Sequence, residues 1–253
     1  MPRFFIEVFY KGTGYSGFQV QENANSVQSE VEKSLSVFFK ELFSLTGSSR
    51  TDAGVHALSN YFHFDSSLLS TYPPERLNRT IYNLNAILPD DIVIKRIYAV
   101  NDNAHCRFDA ISREYKYFIY QQKDPFQSDR AYYYPYKLDL GILNEAAAVL
   151  KTYHDFTSFS KRNTQVKSFN CSIQKSQWIE DENCLVYTVM ANRFLRGMVR
   201  GLVGTMLKTG TGKLTLAGFR RVIEAKDCSN ADFSVPPQGL FLVNVRYKDT
   251  LYL

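Results

Sequence analysis

The sequence predicts an α+β protein built of two halves, each laying helices over an antiparallel sheet in the manner of ferredoxin- or RRM-like folds. Strands and helices alternate once through about residue 100 and then alternate again. The polar run Asn101-Asp102-Asn103 separates the two rounds. With 253 residues, 45% of them hydrophobic, the chain has material for one large core or two modest ones. The expected domains are therefore residues 1–105 and 106–253, with a cleft between halves as the natural binding site.

The elements follow from local pattern. Arg3 to Tyr10 reads as a strand. After a glycine-rich loop, Val27, Val31, Leu35, Phe38 and Leu42 recur at helical spacing, with Asn25 as the expected cap and Gln28 three residues on. Asn60 to Asp65 is strand-like, Pro73-Pro74 opens a helix to about Leu88, and Ile92 to Ala99 returns as a strand. In the second half the predicted elements are a strand from Glu114 to Tyr120, a helix from Leu140 to Tyr153, and strands Ser172 to Glu180 and Cys184 to Ala191 joined by a turn at Asp181-Glu182-Asn183. Helices at about 194–209 and 216–225 and a closing strand, Leu240 to Tyr247, complete the chain. Lys161 to Ser168 reads as a polar, basic, mobile loop.

Composition narrows the class. The first twenty residues set Arg3, Glu7 and Lys11 around the short apolar run Phe4-Phe5-Ile6, too charged for a signal peptide and too short for a membrane span, so a soluble cytoplasmic protein is expected. Cys106, Cys171, Cys184 and Cys228 show no C-x-x-C pair and read as reduced thiols. His56, His63, His105 and His154 show no metal spacing, so no metal site is suggested. The net charge of +5 is uneven: residues 1–105 carry 9 basic against 11 acidic side chains, residues 106–253 carry 21 against 14. A half with a net +7 suits a polyanion, and the 15% aromatic content offers rings on which splayed bases stack.

Ser49-Arg50-Thr51-Asp52-Ala53-Gly54-Val55-His56-Ala57 is the most informative stretch. An acid flanked by small residues beside a strand is loop chemistry, and on pattern alone Asp52 reads first as a turn aspartate bonded to its own backbone. Arg113-Glu114-Tyr115-Lys116-Tyr117 alternates so that Tyr115 and Tyr117 share one strand face. Arg196 and Arg200 fall at i and i+4 of a predicted helix with Leu195, Val199, Leu202, Val203 and Met206 as its apolar stripe, and Gly197 and Gly201 leave room for another backbone. Gly12-Thr13-Gly14-Tyr15-Ser16-Gly17 formally fits G-x-G-x-x-G, but no helix follows it directly, which argues against a dinucleotide site. Gly210-Thr211-Gly212-Lys213 fails as a P-loop because Leu214 replaces the Ser/Thr.

The run R-T-D-A-G-V-H at residues 50–56 resembles the signature of the TruA family of tRNA pseudouridine synthases. Tyr10 to Gln19, Ala104-His105-Cys106-Arg107-Phe108, the Arg113–Tyr117 strand, Asp155 to Phe159, Met198 to Gly204 and Pro236 to Leu242 resemble further family motifs in family order. The resemblance implies a pseudouridine synthase fold, no cofactor, a homodimer, and isomerisation of uridine at positions 38, 39 and 40 of the tRNA anticodon stem-loop. It puts Asp52 in the place of the nucleophile, Arg200 as its charged partner, and Tyr115 as the residue that stacks on the base and moves the C5 proton. Arg50 is implied to displace the base or hold a phosphate, and Gln19, Phe18 and Leu240 to lie near the pocket. His56 orders the loop in this reading. Lys11, Phe18, Ser49, Gly197 and Gly201 depart from the usual family residues. A non-catalytic tRNA-binding protein on the same scaffold is the alternative.

Overall fold

The computed structural model describes residues 1–162 and 166–251. Of the stretch Lys161 to Ser168 expected as a mobile loop, residues 163–165 lie outside the described residues. The chain forms two compact units, Met1–Ile111 with Leu242–Leu253, and Ser112–Phe241. Among the described residues no helix is long and apolar enough to cross a membrane, and no disulfide joins the cysteines.

In the first unit, β1 (Arg3–Tyr10) is followed by α1 (Val27–Phe39), β2 (Thr46–Gly47), β3 (His56–Asp65), α2 (Pro74–Ile87) and β4 (Ile92–Val100). β1 pairs antiparallel with β3, from Arg3 opposite Asp65 to Tyr10 opposite Ala57, and with β4, from Arg3 opposite Val100 to Tyr10 opposite Ile92. Flanked on both sides, β1 is apolar nearly throughout: Phe4, Phe5, Ile6 and Val8 are buried. Glu7 is the exception. Its buried carboxylate accepts hydrogen bonds from Ser59 Oγ at 2.9 Å and Arg96 Nε at 2.7 Å, partners without which a buried charge is costly.

α1 starts one residue later than its expected cap. Ser26 accepts from the Ser29 backbone and Ser29 accepts from the Ser26 N–H, a capping box that Asn25 and Gln28 do not make. It also stops early, at Phe39, because Lys40 takes the left-handed conformation at φ 57°. Leu42 therefore misses the apolar face and is 97% exposed, whereas Val27, Val31 and Leu35 are buried. Pro74 opens α2 at its first turn, as the sequence predicts, and α2 packs on β4.

The second unit runs β5 (Ser112–Tyr120), β6 (Tyr132–Tyr133), α3 (Leu140–Val149), β7 (Ile173–Asp181), β8 (Cys184–Ala191), α4 (Met198–Gly210) and α5 (Leu216–Glu224). β8 pairs antiparallel with β5 and with β7, and the two-residue turn at Glu182-Asn183 closes the β7–β8 hairpin. β6 adds a short parallel pairing to β5. α3 packs on β7 and against α4; it ends at Val149, and residues 150–152 tighten into a 3₁₀ turn instead of continuing to Tyr153. The last strand, β9 (Leu240–Arg246), begins in this unit and ends in the first. Mixed strands and helices with antiparallel ladders bear out the α+β class.

Candidate active site

Asp52 sits in the loop between β2 and β3, and its neighbours show how that loop is fixed. β3 starts at His56, four residues before the expected strand, so the signature run ends inside the sheet. Behind the loop a buried polar network closes: Tyr10 Oη lies 2.8 Å from Thr51 Oγ1, and Asn60 Nδ2 donates to Ser49 O at 2.9 Å and to Tyr10 Oη at 3.2 Å. In front of it runs the segment from Lys11 to Gln19. The Phe18 amide donates to Thr51 O at 3.1 Å, the Gly54 amide to Tyr15 O at 3.4 Å, and the Gly12 amide to His56 Nδ1 at 3.0 Å.

This approach requires glycine. A Cβ on Gly12 would stand 2.0 Å from Val55 O, and Gly17, at φ +122°, lies against the Thr51 carbonyl. Gly12 and Gly17 of the G-x-G-x-x-G run thus close on the loop that carries Asp52, and a 3₁₀ turn, Gly12–Gly14, follows β1 with no α-helix before Val27.

Asp52 itself is half-buried. Its carbonyl accepts from the Val55 amide at 3.2 Å, but among the described residues of its own unit the carboxylate accepts no hydrogen bond. A turn aspartate of the ordinary kind would be tied to its own backbone. Arg50 is exposed, as is Gln19. Phe18, expected near the pocket, is a core residue. It is 1% exposed, stacked on Phe62 at 4.5 Å and on Tyr10 at 5.8 Å, with its ring edge over Gly47, which leaves no face for a nucleotide.

In the second unit, Tyr115 stands on β5 opposite Val189, on the face it shares with Tyr117, as the alternation predicts. It is buried, with its ring edge-on to Phe194 at 5.0 Å. Phe194 was not among the expected site residues; it lies in the stretch expected to be helical.

α4 begins only at Met198, because Gly197 takes φ +73° and breaks the helix there. Arg196 lies outside it, so Arg196 and Arg200 are not a helical i, i+4 pair. Val199, Leu202, Val203 and Met206 form the buried stripe as expected. The close backbone approach occurs at Gly204, where a Cβ would lie 2.2 Å from Asp232 O; Gly201 faces the ring of Phe233.

Small residues on α4 thus let residues 232–235 lie along the helix. Asp232 is pinned by its amide to Thr205 Oγ1 at 3.0 Å and by its carboxylate to Lys208 Nζ at 3.1 Å. That strap presents the carbonyls of Val235 and Phe233 to Arg200, whose Nε and Nη2 donate at 2.8 and 3.4 Å. Tyr117 Oη donates to Pro236 O at 2.7 Å, and burial raises its pKa well above the ordinary tyrosine value against the opposing pull of Arg200. Leu240 is buried at the start of β9. No residue-type signal announces carbonyl anchors, so the sequence could not have named them.

A model of the family described as tRNA pseudouridine synthase matches residues 8–109 and 146–248 of the chain. Over 252 residues the chain is 45% identical to a tRNA pseudouridine synthase A of Parabacteroides distasonis, covering 100% of this chain and 98% of the relative. It is 46% identical over 255 residues to the protein of that name from Porphyromonas gingivalis, with 100% of both chains covered. A tRNA pseudouridine synthase A of Staphylococcus aureus is 36% identical over 245 residues, which span 96% of this chain and 90% of that one.

Proposed function

The chain belongs to the tRNA pseudouridine synthase family and is an isomerase acting on a tRNA uridine, and from that premise we propose that Asp52 is the nucleophile and that the target uridines are at positions 38, 39 and 40 of the anticodon stem-loop. The observation that carries the nucleophile is a carboxylate left without a hydrogen bond from its own loop while the backbone on either side of it is fixed by buried bonds. A group held in place but not consumed by its surroundings is available to attack.

The reaction breaks the bond between uracil N1 and the ribose carbon, turns the base, and forms a bond from uracil C5 to the same carbon. The hydrogen on C5 leaves as a proton and N1 gains one, so the product is an isomer. Attack by the Asp52 carboxylate on the ribose carbon or on uracil C6 starts the two routes open to it, and both need an ionised acid. Arg200 is the charged partner in this proposal, and Tyr115 stacks on the base and takes the C5 proton. A stacked aromatic contributes about 1–3 kcal/mol per base, similar to the few kcal/mol spent in drawing a nucleotide from a stem. Arg50, exposed next to the nucleophile, meets phosphate or displaces the base. Gln19 and Leu240 border the base, the protein acts as a homodimer, and its tRNA substrate sets the cytoplasm as its compartment.

The test is tritium release from unmodified tRNA labelled at uracil C5, with pseudouridine mapped nucleotide by nucleotide. Wild type releases tritium and modifies positions 38–40; Asp52→Asn binds the same tRNA and releases none. Release by Asp52→Asn within tenfold of wild type overturns the nucleophile, and product confined to another arm of the tRNA overturns the positions. If wild type binds tRNA without any release, the non-catalytic alternative stands.

A further inference from the structure

We propose that His63, His105 and Cys106 form a binding site for a divalent transition metal, zinc first among them. The three residues come from two places in the first unit: His63 from β3, and His105 and Cys106 from the segment after β4. One ligand atom from each lies within 4.8 Å of the others. His63 Nδ1 is 3.1 Å from Cys106 Sγ, and the two imidazole rings are 4.6 Å apart, inclined at 62°. Tetrahedral zinc with bonds of about 2.0–2.1 Å to nitrogen and 2.3 Å to sulfur sets its ligands roughly 3.3–3.6 Å apart, so side-chain adjustments of well under 1 Å close the His63–Cys106 pair on an ion.

The surroundings hold these side chains in position. Tyr247 Oη donates to the Cys106 carbonyl at 2.6 Å, and the His105 amide donates to Asp109 Oδ2 at 2.7 Å. His105 Nδ1 accepts from the Arg107 amide at 3.2 Å, which leaves Nε2 as its ligand atom. Cys106 Sγ donates to Thr46 O at 3.1 Å. On binding, the thiol proton goes to solvent, the hydrogen bonds from Cys106 Sγ to Thr46 O and from the Cys106 amide to His63 Nδ1 at 3.4 Å are given up, and a thiolate and two neutral imidazoles take the cation with water in the fourth position. Asp65 and Asp109 add negative potential at the cluster, and Arg3 opposes it. His63 lies seven residues along β3 from His56, about 23 Å at roughly 3.3 Å per residue, so the ion ties β3 to the 104–109 segment and takes no part at Asp52.

The experiment strips the purified full chain with chelator and titrates it with cobalt(II), then zinc(II). We expect one cobalt per chain, a near-ultraviolet thiolate-to-cobalt charge-transfer band, tetrahedral visible absorption displaced by zinc, and a zinc-dependent rise in unfolding temperature. Cys106→Ala and His105→Gln lose the band and the temperature shift while keeping the wild-type far-ultraviolet spectrum. His105→Gln alters the more exposed ligand and serves where the buried cysteine variant does not fold. The proposal is overturned if the wild type takes up no cobalt at micromolar concentration, if it binds cobalt without the thiolate band, or if the band survives in either variant.

Discussion

Gly12→Ala places one methyl group where the structure leaves no room for it. The added Cβ stands 2.0 Å from Val55 O, against 3.4 Å for ordinary contact, so about 1.4 Å must be found by moving backbone. The obstacle is a carbonyl three residues after Asp52 in a loop fixed at Thr51 and His56, which cannot rotate away as a side chain would. Overpacking of this kind costs roughly 1–3 kcal/mol of stability. With Asp52 as the proposed nucleophile, the larger effect is on rate, since a misplacement of about 1 Å at a reacting group costs on the order of 10²-fold. Gly14→Ala is the control: its nearest neighbour, Asp91 Oδ2, would be 3.7 Å away. Single-turnover tritium release should fall about 10²-fold for Gly12→Ala and stay within twofold for Gly14→Ala, with tRNA binding by filter retention unchanged in both. A Gly12→Ala enzyme that reacts at the wild-type rate refutes the view that the glycine-rich segment sets the position of Asp52.

Three further outcomes follow from the second unit. Arg200→Lys loses the two-carbonyl grip on Val235 and Phe233, because one ammonium on a flexible stem cannot reproduce the guanidinium fork; single-turnover rate should fall at least about 10²-fold while urea midpoints move little. Tyr117→Phe removes the 2.7 Å bond to Pro236 O and should destabilise the protein by about 1 kcal/mol in urea, with a rate loss smaller than that of Arg200→Lys. Burial pushes the Cys171 thiol up to about 11, so at pH 8 the native thiolate fraction is on the order of 10⁻³, and iodoacetamide should modify Cys171 at least about 10²-fold more slowly in native than in urea-unfolded protein by peptide mass spectrometry. The rate should rise with pH up to about 11, since a raised thiol pKa leaves the reactive form scarce until then.

Element type was legible wherever local chemistry had one answer. β1 and β8 have the predicted bounds because an apolar run between turn residues leaves no competing pattern. The errors occur where a single backbone conformation overrides periodicity. Leu42 continues the α1 stripe in sequence, but Lys40 turns the chain left-handed before it. Leu195 and Val199 suggest a helix through residue 196, but Gly197 starts it afresh. Motif resemblance points to Asp52, Tyr115 and Arg200, whose roles are proposals, whereas nothing in the sequence marks the Val235, Phe233 and Pro236 carbonyls, because every residue carries the same acceptor. Phe18 differs from the expectation for a related reason: an aromatic in a motif looks the same whether its ring faces a base or a core, and here the ring is buried and stacked on Phe62 and Tyr10. His63 and Cys106 are 43 residues apart and meet only because β1 and β4 bring the end of β3 beside the segment that follows β4.

The two halves of the candidate chemistry are built by one device. At Asp52 a strand of backbone carrying Gly12 closes on the loop; at Arg200 a strap at Asp232–Val235 closes on α4 over Gly204. In each case a missing Cβ brings main chain within hydrogen-bond reach, and the amides of Phe18 and Gly54 and the carbonyls of Val235 and Phe233 share the holding with side chains such as Asn60 and Thr205. Side-chain anchors carry rotamer freedom that must be frozen, at about 0.5–2 kcal/mol for the longer ones, whereas a carbonyl on a packed segment is already ordered with the fold. A carboxylate and a guanidinium that act on a base drawn out of a helix need fixed positions before the substrate arrives, because binding energy spent on arranging them is lost to catalysis. The positions least tolerant of change should therefore include glycines that touch no substrate, and this follows from close packing of main chain.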